Sequence, residues 1–287
     1  QDRVAAAISG SYSGPSRAAA PVFQQNSVPL VAAYATHPEI TTAGDMVFRV
    51  IYLSTVQGKA IGQYATGKLG YKRLHVLHID NDYGNTMSDA LDEFVIQRGG
   101  TIVSDQVFSP DATDFSAALE TINATPADAI ILLGYYAQSI EIIKQARALG
   151  INLPIVGSDG LDSPKLVELG GKDVEGVVLA TDFSRNDPRP VVVEFIRDFR
   201  TAYAVDPDVV ASSSYDATTL LIDAIKRAGS TDAKAIRDAL AATTAFEGVT
   251  GNIVFTPERE VNKTILFVKI QNGTFVFQDK IDPADLP

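Results

Sequence analysis

Cysteine and tryptophan are missing altogether from the 287 residues, and only three histidines and two methionines occur. Without cysteine there is no disulfide, no thiolate zinc site and no thiol nucleophile, but the compartment stays open, because exported proteins without disulfides are common. No apolar run reaches the ~18 to 20 residues that a membrane helix requires, so the chain as given reads as soluble, with no direct membrane insertion. The opening residues Gln1-Asp2-Arg3-Val4 lack a basic region followed by a long apolar stretch. Any export signal is therefore expected to have been removed or never to have been present. Positive charge is also scarce: 24 Lys and Arg stand against 35 Asp and Glu, for a net charge of −11 and a pI near 4.7. That balance repels phosphate backbones and acidic headgroups, and nucleic acid is not expected as a partner.

What is present is ordinary for a folded protein, with 46% hydrophobic and 21% charged residues over a length that suits two domains or one large one. Short apolar runs rich in β-branched residues alternate with helical patterns, the signal for βαβ units around a parallel sheet. The expected strands are Val4 to Ser9, Val28 to Ala32, Lys72 to Ile79, Thr101 to Phe108, Ala127 to Leu133, Pro154 to Gly157 and Gly176 to Thr181. Between them, stripes such as Ala90, Leu91, Phe94 and Val95, or Ile140, Ile143 and Ala146, mark core-facing helices. Beyond Thr181 the pattern changes to helices at about Pro190 to Tyr203, Ser212 to Ala228 and Asp232 to Ala242. Asn252 to Phe255, Thr264 to Ile270 and Phe275 to Ile281 then alternate in period two around Asn272-Gly273, the strongest short hairpin signal.

Open α/β sheets bind ligands beyond the carboxyl ends of their strands, which directs attention to four loops. Ser9-Gly-Ser-Tyr-Ser-Gly-Pro-Ser16 enters a helix through glycines and hydroxyls but fails the nucleophile-elbow, dinucleotide and Walker A patterns. Its Ser13 and Ser16 read either as helix caps or as part of a donor set for a carboxylate. Tyr34-Ala-Thr-His-Pro-Glu39 offers backbone N–H groups and the Thr36 hydroxyl. His37 has no second imidazole or carboxylate at ligand spacing, and His75 and His78 fall on opposite faces of one strand, so no metal site is expected. Leu133-Gly-Tyr-Tyr-Ala137 places Tyr136 at a strand's carboxyl end, as core or as a ring for a cation. In Val156-Gly-Ser-Asp-Gly-Leu-Asp-Ser-Pro164, Ser163 and Pro164 read as N-cap and first helical residue, and Asp162 belongs to that helix start. Asp159 then either folds an Asx-turn or points into a cleft to hold an ammonium group. Two donor-rich loops with one aromatic and one acidic loop suit a zwitterion. No catalytic pair emerges, because none of the four loops places a histidine, cysteine or lysine as base or nucleophile, so no enzyme and no cofactor are expected.

Val28 to Thr41, Phe48-Arg-Val50, Asn81-Asp-Tyr-Gly84, Asp114-Phe-Ser116, Gly134-Tyr-Tyr136, Gly157-Ser-Asp-Gly160, Tyr215-Asp-Ala217 and Phe246 to Gly251 together resemble, in order and from end to end, the branched-chain amino-acid binding proteins of ABC importers. That resemblance implies a type I periplasmic binding fold: two doubly wound α/β lobes joined by three crossovers and closing on their ligand as a hinged trap. It places lobe I at 1–54 with 184–257 and lobe II at 55–183 with 263–287. By position, Ser13 and Thr36 match hydroxyls that bind an amino acid's carboxylate, and Tyr34 and Ala35 supply backbone contacts. Tyr136 matches a tyrosine closing from the other lobe, and Asp159 the acid for the α-ammonium. The implied function is an extracytoplasmic or periplasmic solute-binding protein that delivers an amino acid or related small polar ligand to an ABC permease. The alternative is a ligand-sensing receptor or amide-type regulator domain on the same fold. Three departures accompany the resemblance: Tyr34 replaces a small residue, Ser54 stands where an acid is frequent, and the family's first two βα units are expected to be missing.

Overall fold

The computed structural model describes residues 4–10 and 12–286. Contacts divide the chain into two compact units, Gln1–Ser54 with Asp187–Thr264 and Thr55–Asn186 with Ile265–Pro287. In chain order the first segment carries β1 (Ala7–Ser9), α1 (Ser13–Gln25), β2 (Leu30–Ala32), a 3-10 turn (Pro38–Ala43) and β3 (Val47–Arg49). The second holds α2 (Ser54–Gln63), β4 (Arg73–Ile79), α3 (Asp82–Gln97), β5 (Thr101–Phe108), α4 (Ser116–Ala124), β6 (Ala129–Leu133), α5 (Tyr136–Ala148), β7 (Ile155–Gly157), α6 (Pro164–Gly170) and β8 (Val178–Thr181). The third contributes α7 (Pro190–Tyr203), α8 (Val209–Ala228), α9 (Ala233–Ala241), β9 (Phe246–Gly248) and β10 (Gly251–Ile253). The last is the pair β11 (Ile265–Gln271) and β12 (Thr274–Ile281).

In the first unit, β1, β2 and β3 form a parallel sheet in that order. Alternation along β2 splits its side chains between two cores. Val31 joins Phe48, Val50, Leu220 and Ile236 on one face, where α8 and α9 cover the sheet, and Leu30 and Ala32 join Ala20, Ile40 and Val47 on the other. The helix ends follow local chemistry. Asp208 and Asp232 accept the N–H groups of Ala211 and Ala235 at 2.8 and 2.9 Å, and Gly229 closes α8 at a φ of 60°.

The second unit is a seven-stranded sheet in the order β12-β11-β8-β7-β6-β4-β5, parallel from β8 to β5, with β11 and β12 added antiparallel. β6, β7 and β8 are buried at nearly every residue, as a sheet covered on both faces requires. The hairpin turns at Asn272 and Gly273, whose φ values of 52° and 69° are those of the type I′ turn that their sequence predicts.

Most expected strands form within a residue or two of their predicted limits; β1 is the exception, starting three residues late at Ala7. Two strands were not anticipated. β3 is three residues long, too short for an alternating pattern to register, and Phe246–Gly248 becomes a strand only by pairing with β10.

Candidate functional site

Each unit gathers some of the candidate residues. In the first, the loop after β2 is fixed by a side chain that no periodicity argument singled out. Arg49, fully buried at the end of β3, donates from Nη1 to the Ala35 carbonyl at 3.0 Å and from Nη2 to the His37 carbonyl at 2.7 Å. Its Nε lies 2.9 Å from Glu260 Oε2, and Glu260 also accepts from the Thr41 hydroxyl. Only a guanidinium forks to three acceptors in this way.

Held so, Tyr34, Ala35 and Thr36 are all buried, with the Tyr34 ring edge-on to Tyr12 at 5.9 Å between centroids. The Thr36 N–H donates to Ser13 Oγ at 3.3 Å and the Thr36 carbonyl accepts from the Ser54 N–H at 2.9 Å. Neither serine caps α1: the N-cap is Tyr12, whose side chain makes no cap bond, and Ser16 Oγ pairs with Ser9 Oγ at 2.6 Å. The hydroxyls of Thr36 and Ser54 are buried and meet no hydrogen-bond partner among the described residues. A buried hydroxyl in that state costs about 1–3 kcal/mol, so a ligand that engages it has an advantage built in.

In the second unit the acidic loop follows β7. The Asp159 side chain does not fold back as an Asx-turn: Oδ1 accepts from the Tyr83 hydroxyl at 2.5 Å, and the same hydroxyl accepts from the Gly160 N–H at 3.1 Å. Tyr83 is delivered by the Asn81-Asp-Tyr-Gly84 stretch, where Asn81 Oδ1 accepts the N–H groups of Tyr83 and Gly84 and starts α3. Gly160 must lack a side chain, because a Cβ there would stand 2.1 Å from the Gly134 carbonyl oxygen.

Three carboxylates, Asp159, Asp162 and Asp182, are buried together at this end of the sheet. Asp162 is compensated: Arg185 Nη2 sits 2.6 Å from Oδ1, the Thr181 hydroxyl donates to Oδ2 at 2.6 Å, and the guanidinium lies over Phe275 at 4.5 Å. Its role is therefore a buried ion pair and not the helix start expected of it, which belongs to Ser163, acceptor of the Lys165 N–H at 3.3 Å. Asp159 has no such cation among the described residues. Burial, with the charges of Asp182 and Asp162, raises its carboxyl to about 7 against the pull of Tyr83 and the Gln57 amide. Burial and the neighbouring Asp159 charge push the Tyr83 phenol well above its ordinary value, so it remains a donor. Such an acid lacks one thing, a positive charge at close range.

The tyrosine packed into this group is Tyr135, whose ring stacks on Tyr83 at 5.3 Å and 12°. Tyr136, the candidate from sequence, is the half-buried first residue of α5. Adjacent tyrosines at a strand-to-helix turn face different ways, and their order alone does not say which turns inward. Among the described residues no cluster of three or more His, Cys, Asp and Glu is arranged to hold a metal ion.

A periplasmic binding protein family model matches residues 1–274. The chain belongs to that family. Among curated members it is 25% identical over 244 residues to the leucine-, isoleucine-, valine-, threonine- and alanine-binding protein of Pseudomonas aeruginosa, covering 85% of this chain and 65% of that one. With Leu/Ile/Val-binding protein homolog 3 of Brucella melitensis the identity is 26% over 237 residues, 80% of this chain and 63% of the relative. The chain thus spans a little under two thirds of these curated relatives. Among solved structures, the leucine binding protein LivK of Thermotoga maritima superposes with a TM-score of 0.93 at 32% identity, covering 100% of this chain and 82% of that one. The branched-chain amino acid substrate binding protein LivJ of Streptococcus pneumoniae, in complex with isoleucine, gives 0.90 at 30%, covering 99% and 81%. The α/β fold of this periplasmic binding protein therefore matches type I periplasmic binding structures.

Proposed function

We propose that this chain captures an α-amino acid outside the cytoplasm and delivers it to an ABC importer, without chemistry on its cargo. On this reading the two compact units are the two lobes of a type I binding protein, and each carries part of the ligand-binding set. The ammonium goes to Asp159 under the Tyr135 ring, with Tyr83 and Gln57 holding the carboxylate in place. The carboxylate of the ligand goes to the Thr36 hydroxyl and to N–H groups around Ser13, Tyr34 and Ala35, and Tyr136 lies on the rim.

The observation that carries the proposal is the buried Asp159 carboxylate without a cation, in a chain whose relatives bind aliphatic amino acids. A ligand ammonium supplies the missing charge where the low surrounding polarity makes it most effective. Calorimetric titration with L-leucine, L-isoleucine, L-alanine and the matching amine-free acids tests it. Binding is expected only for the amino acids. Thr36→Val should weaken it by roughly 10- to 150-fold, the value of one hydrogen bond to a charged group. Equal binding of the amine-free acids would remove Asp159 from the proposed role.

A further inference from the structure

The sheet of the second unit has another end. Where Leu153-Pro154 leads into β7 and Glu175-Gly176 leads towards β8, at the amino ends of these strands and away from the Asp159 loop, a cavity of about 370 Å³ opens beside β11. That volume lies within the range of small-molecule sites, roughly 300–1,000 Å³. Its apolar wall is made by Ile155, Val178 and Tyr64, whose ring is stacked on Phe267 at 3.9 Å.

Two cations line the same space. Lys269 projects from β11 beside its cross-strand partners Val178 and Val276, and Arg147 stands in the last turn of α5. Nη1 of Arg147 donates to the carbonyls of Ile151 and Leu153 at 2.6 and 3.2 Å, leaving Nε and Nη2 without a hydrogen bond among the described residues. Neither cation belongs to an ion pair there. Glu175 lines the same cavity, and its two oxygens accept the N–H groups of Asn272 and Gly273 at 2.6 and 3.3 Å. Asp173 influences Arg147 from beyond ion-pair reach.

We propose that this cavity is a second ligand site, independent of the Asp159 loop, which takes a small organic acid with a flat apolar body. The acid's carboxylate meets the free edge of the Arg147 guanidinium and the Lys269 ammonium, and its body lies on Tyr64, Ile155 and Val178. A planar two-donor edge matches a carboxylate, and the apolar wall separates such an acid from a bare inorganic anion.

Backbone amide shifts of the intact chain during titration with benzoate, and separately with inorganic phosphate, test this. Benzoate is expected to move Leu153, Glu175, Gly176 and Lys269 together, with phosphate much weaker. Lys269→Glu places like charge against the ligand and should weaken benzoate at this cavity by about tenfold or more, while binding of L-isoleucine in the same variant is unchanged. Benzoate shifts confined to the residues around Asp159, unaltered benzoate binding in Lys269→Glu, or phosphate equal to benzoate would each overturn the assignment. Loss of L-isoleucine binding in the unsubstituted protein would count against the amino-acid site and not against this one.

Discussion

Replacing Asp159 by asparagine keeps the side chain's shape and its acceptor for Tyr83 and deletes only the charge. The carboxyl is held at about 7 instead of 3.8, chiefly by burial. A group whose folded value lies above its unfolded one favours folding below about pH 4 and loses that contribution as the pH climbs towards 7. At about 1.4 kcal/mol per pH unit, the ionised acid costs the unliganded protein roughly 4 kcal/mol by about pH 8, an upper bound because the site can relax. Asp159→Asn should therefore match wild type near about pH 4 and exceed it above about pH 7, by a Tm gap on the order of 10 °C. Thermal melts of both proteins across this range, without ligand, read the difference directly, since all other titrating groups are shared. L-isoleucine should narrow the gap by raising wild type alone, about 2.7 kcal/mol at a hundred times Kd. A gap that stays constant with pH would refute the buried charge. A gap that widens with pH but ignores L-isoleucine would leave the charge and refute its purpose.

Other perturbations separate the site from its supports. Tyr83→Phe removes the donor to Asp159 and the acceptor of the Gly160 N–H; amino-acid affinity should fall by roughly 1.5–3 kcal/mol, with its pH onset moved upward, as titration at several pH values would show. Arg49→Met strands two carbonyls and the Glu260 carboxylate, and should cost about 3–5 kcal/mol in urea unfolding; Arg49→Lys should recover little of it, because an ammonium donates from a single nitrogen and lacks the planar spread of Nε, Nη1 and Nη2 that reaches these acceptors. His78, Asp105 and Asp92 form a second pH-sensitive group, with Asp89 beside them. Burial, with the Asp105 charge, lifts Asp92 to about 7 although His78 opposes it, and the bond and charge of Asp105, 3.3 Å away, raise the His78 imidazole despite burial. Both folded values lie above the unfolded ones, so both contributions are lost as pH rises towards 8. Asp92→Asn should flatten the decline in urea midpoint between about pH 5 and 8, and parallel profiles would contradict this assignment.

Architecture was legible in the chain because local rules and long-range packing agree there. β6 is apolar on both faces because helices cover both, Asn272-Gly273 turns because both residues tolerate positive φ, and α8 ends at Ala228 as expected, before Gly229, although it starts at Val209 behind the Asp208 cap and not at Ser212. The site was legible as a set of loops after strands, since any open α/β sheet concentrates polar groups there.

Which side chains those loops turn inward was decided only by tertiary contact. Ser13, open in sequence between a cap and a carboxylate donor, accepts the Thr36 N–H, and Asp162, expected at a helix start, meets Arg185, 23 residues along the chain. Arg49 and Tyr83 carry no periodic signal because each acts on a segment distant in sequence, the first on the Ala35 loop and the second on Asp159, 76 positions away. Periodicity and capping report on neighbours within a few residues, and they determined the elements of this protein. Burial and unpaired charge belong to the folded arrangement alone, and they decided between the two readings that the sequence left for Asp159, a turn-former or an acid in want of a cation.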